Sequence, residues 1–282
     1  MSVSEVVIDG LAFGEGPRWR DGRLWFSDMH DHAVKAFAPA TGDLERVVEV
    51  PGSPSGLGWD RDGRLLVVSM DDRRLLRFDG RSLSEVADLS DYTDQPINDM
   101  VVSDAGVAYI GSFGFDLHAG DAPRSTVLLR VDVASGAHAV AADEMRFPNG
   151  MVIDGATLVV AESFGSCLTA FTIADDGSLH DRRTWAVLEG GEIPDGICLD
   201  ADGCIWISSP TTREFVRVHE GGDITERISS GEQMAIACML GDDDRKTLYM
   251  LTSKGLDPHK AAELRTGRLE RVRVDVPGAG LP

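Results

Sequence analysis

The sequence predicts an all-β chain folded as a six-bladed β-propeller of four-stranded antiparallel blades. Three observations carry that expectation. A unit made of a polar-Gly turn, an apolar pair, an Asp-Gly turn and a strand with Trp or Tyr recurs along the chain. Six copies over 282 residues give a period of about 45, the size of one propeller blade. Between the copies lie short apolar runs separated by turn dipeptides, with almost no helical periodicity.

The copies run in order. Gly14-Glu15-Gly16-Pro17-Arg18-Trp19 leads through Asp21-Gly22 to Leu24-Trp25-Phe26. Ser55-Gly56-Leu57-Gly58-Trp59 leads through Asp62-Gly63 to Leu65-Leu66-Val67. Asn98-Asp99-Met100 leads through Ala105-Gly106 to Ala108-Tyr109-Ile110. Asn149-Gly150-Met151 leads through Asp154-Gly155 to Leu158-Val159-Val160, and Asp195-Gly196-Ile197 through Asp202-Gly203 to Ile205-Trp206-Ile207. A weaker sixth copy joins Ala235-Ile236-Ala237 to Leu248-Tyr249-Met250. Further short β runs fall between the copies, for example at 33–37, 74–78, 127–131, 167–173 and 215–218, each followed by a turn such as Ser135-Gly136 or Asp176-Gly177. Residues 259–264 offer one helical turn at most. The head, 3–8, and the alternating tail, 267–276, read as strands that share the last blade and remove its open edge. The expected organisation is one propeller domain over residues 1–282.

Composition limits the function. Apolar residues make up 43%, enough for a core, and 27 basic against 47 acidic residues leave a net charge of −20. Such a chain repels nucleic acid. No apolar run has the length of a membrane span, and 1–8 has no signal-peptide pattern. Cys167, Cys198, Cys204 and Cys238 lack C-x-x-C spacing, so a reduced cytoplasmic protein is expected, with Cys198 and Cys204 as small apolar residues in strands. The expected partner is a small-molecule substrate, and the assembly a monomer or small homo-oligomer.

Equivalent positions at the entrance of each inner strand converge on a propeller's axis. Glu15, Asn98, Asn149 and Asp195 occupy that slot, and all four are oxygen donors. Two carboxylates with two amide carbonyls suit one hard divalent cation; calcium is favoured, with zinc, magnesium or manganese as alternatives. The competing reading is that each is a common turn residue. The same slot in different blades argues against it, because turn chemistry alone does not select a register. Asp60-Arg61-Asp62-Gly63 and Asp200-Ala201-Asp202-Gly203 lack the full calcium-loop spacing and read as hairpin turns. The seven histidines fall outside the slots and are expected at the surface, with His118 the one candidate for a pocket. The third repeat is lengthened near 113–124: Asn98 to Asn149 spans 51 positions against 46 from Asn149 to Asp195. Gly, Pro and aromatics there read as a pocket wall.

These residues resemble the family of regucalcin (senescence marker protein), gluconolactonase and luciferin-regenerating enzyme over nearly the whole chain. The matching pieces are Gly14-Glu15-Gly16-Pro17 with Trp19, Asn98-Asp99, Pro148-Asn149-Gly150, Pro194-Asp195-Gly196 with Asp200, Asp202-Gly203 and Trp206. The resemblance implies a six-bladed propeller that hydrolyses lactones. It implies Glu15, Asn149 and Asp195 as metal ligands, with Asn98 binding the metal directly or through water. Sugar-lactonase members carry an Arg two residues before the Asn of the Asn-Asp pair, where this chain has Pro96. Asp116 corresponds roughly to their acidic substrate contact. With Asn98, Asp99 and Asp116, the expected substrate-binding residues are Met100, Phe113, Phe115, Phe147 and Phe164, joined at the rim by Met151 and Met234. A substrate less polar than gluconolactone follows, with Asp195 as general base. A phosphotriesterase or other small-metabolite enzyme on the same site, and a non-catalytic calcium-binding propeller, are the alternatives.

Overall fold

The computed structural model describes residues 4–282. Six antiparallel sheets of four strands each form the blades of a closed propeller. Their inner strands are Gly14–Arg20, Pro54–Trp59, Ile97–Val102, Pro148–Asp154, Ile197–Leu199 and Met234–Gly241. Each packs against the next around the ring, and the sixth returns to the first. Blade 6 takes its outermost strand, Glu5–Leu11, from the head of the chain, paired with Gly267–Arg273. The two ends of the chain thus close the ring as expected. Val3, placed at the start of the head strand by the sequence, lies outside the described residues, as do the first positions of the stretch read for a signal peptide. No helix is long and apolar enough to cross a membrane, among the described residues.

The repeated Trp or Tyr of the second strands fills the wedge between blades. Tyr249 of blade 6 stacks on Trp19 of blade 1, with centroids 5.7 Å apart, and Trp25 meets Trp59 of blade 2 edge-on. Tyr109 and Trp206 are fully buried, and the Tyr109 hydroxyl donates to the Gly177 carbonyl of blade 4 at 2.9 Å. These rings are large enough to pack the space that widens from the axis outward.

Three local expectations are corrected. The tail strand ends at Arg273 rather than Val276. Beyond it the chain crosses blades 5 and 4: Ala201 N–H donates to the Pro277 carbonyl, Ala279 N–H to the Leu199 carbonyl, and Leu281 bridges Ile153 in both directions. Backbone groups of the tail thus find partners on blades 4 and 5 as well as on the blade-6 turn, where Val274 N–H donates to the Lys246 carbonyl and Gly278 N–H to the Arg245 carbonyl. The helix is Pro258–Leu264, seven residues, which is about two turns. Asp257 caps it by accepting from Lys260 N–H at 3.0 Å, and Pro258 stands at its first turn. Cys204 is buried but lies one residue before the strand Ile205–Ser209, in contact with the His219 ring. The four cysteines are unpaired, and Cys198 and Cys238 approach to 3.8 Å.

An ion network ties blade 1 to the blade-6 helix. Lys35 pairs with Asp28 and Asp31, and Arg265 and Arg46 also reach Asp31. Partial burial by itself raises the Asp31 carboxyl, but hydrogen bonds and charge from Arg265 and Lys35 outweigh it and hold the group well below the usual range. A depressed carboxyl stabilises the fold above its unfolded pKa of roughly 4 and loses that contribution as pH falls toward the folded value. Asp31→Asn is therefore expected to cost about 1 kcal/mol at neutral pH. The difference from wild type in urea denaturation should shrink steadily below about pH 4. A difference independent of pH would remove the charge from the explanation.

Candidate metal centre

Four inner strands carry a β-bulge at the donor slot or one residue past it. The pairing register slips between Glu15 and Arg18, Pro54 and Leu57, Ile97 and Met100, and Pro148 and Met151. A bulge inserts a residue and re-aims the side chains beside it. Here it takes Asn98 and Asn149 out of the ladder and toward the axis, while Glu15 is the last paired residue before the slip, opposite Ser27. In blade 5, Asp195 stands just before the strand Ile197–Leu199, held by its N–H to the Ser208 carbonyl at 2.9 Å.

The glycine after the polar residue is set by the tightness of the ring. A methyl group on Gly150 would lie 2.6 Å from both the Asp195 carbonyl oxygen and the Ile197 nitrogen. One on Gly56 would lie 2.3 Å from the Met100 nitrogen. These glycines therefore mark contact between neighbouring backbones inside strands, not hairpin turns.

Glu15, Asn98, Asn149 and Asp195 all line one cavity of about 460 Å³. Asn149 Nδ2 donates to Asp195 Oδ1 at 2.5 Å and to Ser163 Oγ at 3.3 Å, and Ser163 Oγ donates to the Pro194 carbonyl. Ser55 Oγ donates to Asn98 Oδ1 at 3.4 Å. Gly16 N–H donates to Glu15 Oε2 at 2.9 Å. Among the described residues, two buried atoms of the four ring side chains have no hydrogen-bond partner: Asn149 Oδ1 and Asn98 Nδ2. Burial, followed by the charges of Asp195 and Asp99, pushes the Glu15 carboxyl well above the usual range. Burial also raises the Asp195 carboxyl; the Asn149 hydrogen bond opposes this and Asp99 adds to it. Two carboxylates crowded together in a dry site resist joint ionisation unless a cation lies with them. A free carbonyl oxygen beside them is the complement such a cation requires. Among the described residues no three His, Cys, Asp or Glu side chains are arranged to hold a metal ion, so a donor set here would need the amide oxygens beside its carboxylates.

Much of the cavity wall comes from one structural slot repeated six times, the loop between the second and third strands of each blade, and the rest from the segments that lead into the inner strands, such as Phe13, Pro96 and Phe147. The loops supply Met29 and His30, Met70 and Asp71, Phe113 with Asp116 to His118, Ser163 and Phe164, Pro210 and Thr211, then Leu256 and Pro258. Phe113, Phe147 and Phe164 form a contiguous aromatic face, with Phe147 centroids 4.5 Å from Phe113 and 5.3 Å from Phe164. Phe147 holds φ +61°, a left-handed conformation that costs a non-glycine residue about 1–2 kcal/mol.

A family model described as SMP-30/Gluconolactonase/LRE-like region matches residues 13–254. The chain belongs to this family. It is similar to regucalcin of Danio rerio, 23% identical over 278 residues covering 93% of this chain and 90% of the relative. It is similar to 6-deoxy-6-sulfogluconolactonase of Pseudomonas putida, 25% identical over 291 residues covering 98% and 96%. Among solved structures, luciferin-regenerating enzyme shares the fold with a TM-score of 0.85 and 17% identity, over 100% of this chain and 98% of that one. The SMP-30/gluconolactonase/LRE-like family includes lactonases and is known for divalent-metal or calcium binding.

Within this family fold, several expected substrate contacts lie elsewhere. Met100 and Met151 are buried between blades and do not line the cavity, because the bulge that turns Asn98 and Asn149 inward sends the next residues into the core. Asp99 points away too and pairs with Arg18 at 2.8 Å. Phe115 backs the wall from behind, 4.9 Å from Phe164. Asp116 lines the cavity, but its Oδ1 also accepts from His118 and Ala119 N–H, so it shapes the inserted loop. Met234, Pro96 and His118 also line the cavity. Sequence reasoning missed three residues. Ser55 fills the blade-2 slot of the ring, a position the repeat does mark. Ser163 braces Asn149, and His30, expected at the surface, is half-buried in the wall against Phe13. Burial, and then the charge of His118, pushes the His30 imidazole down to about 4, with Asp28 opposing.

Proposed function

We propose that this chain is a divalent-metal-dependent hydrolase of a lactone or related small ester, less polar than gluconolactone. The observation that carries the reading is an oxygen-donor ring joined to an aromatic wall in one cavity. Glu15, Asn149 and Asp195 would hold the ion, with Asn98 binding it directly or through water. An all-oxygen set suits calcium best, and magnesium or manganese by the same hard-donor chemistry; the absence of His and Cys disfavours zinc. Such an ion supplies Lewis-acid polarisation of the substrate carbonyl and stabilises the oxyanion.

The chain's own residues supply the rest. Asp195 accepts the proton of the attacking water at Oδ2, since Oδ1 is held by Asn149, and returns it to the leaving alkoxide oxygen as the acyl C–O bond breaks. Asn98 Nδ2, without a partner inside the protein, offers a hydrogen bond to a substrate oxygen. Phe113, Phe147 and Phe164 exclude water from one side of the substrate and bind its apolar part. Pro96 lines the wall with no donor for sugar hydroxyls.

A panel of alkyl-substituted lactones, gluconolactone, aryl esters and phosphotriesters, assayed with calcium and with chelator, tests the reading. Alkyl lactones are expected to exceed gluconolactone by at least about tenfold in kcat/KM, the scale that one or two buried methylenes supply. Turnover should vanish with the chelator. Preference for gluconolactone would overturn the assigned polarity, and activity that survives chelation would overturn the metal. Turnover confined to phosphotriesters would replace the lactone.

A further inference from the structure

The position three residues after the donor slot is Gly58 in blade 2, Val101 in blade 3, Val152 in blade 4 and Cys198 in blade 5, all buried. In blade 1 that position is Arg18, and it is 3% exposed. A cation in a slot that is otherwise apolar needs compensation. Arg18 has it on every side. Its Nε donates to the Leu57 carbonyl at 3.0 Å, Nη1 to the Pro17 carbonyl at 2.8 Å, and Nη2 to Asp99 Oδ1 at 2.8 Å and to the Met100 carbonyl. One guanidinium thus joins the inner strands of blades 1, 2 and 3. It lies on the side of the ring away from the cavity, where it borders a depression with Trp19, Trp59 and Leu281.

The surrounding charge gives this placement a role. Asp99 is a third buried carboxylate, close enough for its charge to act on both Glu15 and Asp195. Among the described residues, Arg18 is the single basic side chain in an ion pair with any of the three. Lys35 and Arg217, two other buried basic side chains, are engaged by other acids, Asp28 with Asp31 and Asp200 with Asp202. Three carboxylates against one guanidinium leave the ionised site two charges short of neutral. One divalent cation completes the balance.

We propose that Arg18 is a positioning residue of the metal ring. It holds Asp99 out of the donor set, and it supplies the internal positive charge that lets the propeller close when no metal is bound. The first part rests on the metal reading above; the second does not. Metal affinity should then follow the net charge of the Arg18, Asp99, Glu15 and Asp195 group, whichever residue sets it.

The test compares wild type, Arg18→Met, Asp99→Asn and the double variant. Methionine is chosen because its unbranched, adaptable side chain fills much of the space of arginine without the charge. Calcium binding is measured by titration calorimetry, and thermal midpoints with calcium and with chelator. Arg18→Met is expected to bind calcium at least about tenfold more tightly and Asp99→Asn at least about tenfold more weakly, since each changes a charge beside the ion in a site of low dielectric. The double variant restores the charge and should return to within about threefold of wild type. In chelator, Arg18→Met should melt lowest, calcium should raise its midpoint more than that of wild type, and Asp99→Asn added to it should recover the loss. Should Arg18→Met fail to fold, Asp99→Asn and the double variant still carry the comparison. Equal affinities in wild type, Asp99→Asn and the double variant would overturn the positioning role. A double variant no more stable in chelator than Arg18→Met, or one that also fails to fold, would overturn the charge role and leave Arg18 to packing. A wild-type chain that binds no divalent cation would overturn the metal reading and the positioning role together, while the melting comparison in chelator would still decide the charge role.

Discussion

Asp195→Asn is expected to lower kcat toward the proposed lactone substrate by about 10²–10⁴-fold, the range that a positioned general base supplies. Glu15→Gln should fall comparably, by loss of a charged ligand. Neither substitution is expected to unfold the chain. Both residues carry carboxyls that burial and neighbouring acids push toward protonation, so an amide in either place relieves repulsion in the metal-free protein. The midpoint in chelator should therefore stay level or rise while activity and calcium affinity collapse. That opposition separates a ligand from a structural residue, since loss of packing would lower stability and activity together. Turnover within tenfold of wild type in Asp195→Asn would remove it from the mechanism.

The second large effect is on stability. Gly150→Ala is expected to cost about 3 kcal/mol, the upper end for forced overpacking, because the neighbouring atoms are backbone and have little room to move. This is a large part of the 5–15 kcal/mol typical of a folded domain. The added methyl would press on the Asp195 carbonyl, so the ring should loosen as well and calcium should bind more weakly. Gly155→Ala serves as the control. Gly155 has φ +55° with nothing within 4 Å of the added carbon, so only the left-handed penalty of about 1–2 kcal/mol applies. Urea denaturation of the two variants measures the contrast. A Gly150→Ala protein no less stable than Gly155→Ala would mean that the blades have slack at the axis.

Much of this architecture follows from local pattern. The blade repeat requires only hairpins in order, and the strand and turn signals that make hairpins lie within a few residues of each other. The oxygen ring could be read for a related reason: a repeat that closes on itself brings equal positions together, so Glu15, Asn98, Asn149 and Asp195 meet in one cavity. The wall was less readable. Phe113, Phe147 and Phe164 line it, whereas Met100, Met151 and Phe115 do not. In a strand a one-residue slip reverses the face a side chain points to. The bulges introduce that slip, and an alternating apolar pattern does not reveal which residue takes it up.

The sequence by itself determined the all-β class, the number of blades, the joint closure of blade 6 by head and tail, and the slot in which the polar donors stand. These depend on period and on turn chemistry. The tertiary structure alone decided how those donors are surrounded. It placed His30 in the wall, Ser163 behind Asn149, and Arg18 against Asp99, 81 positions away along the chain. It also showed the glycines after the donors to be points of contact between blades. Such relations arise where separate blades crowd a common axis, and the distance and charge that govern them come into being only when the ring closes.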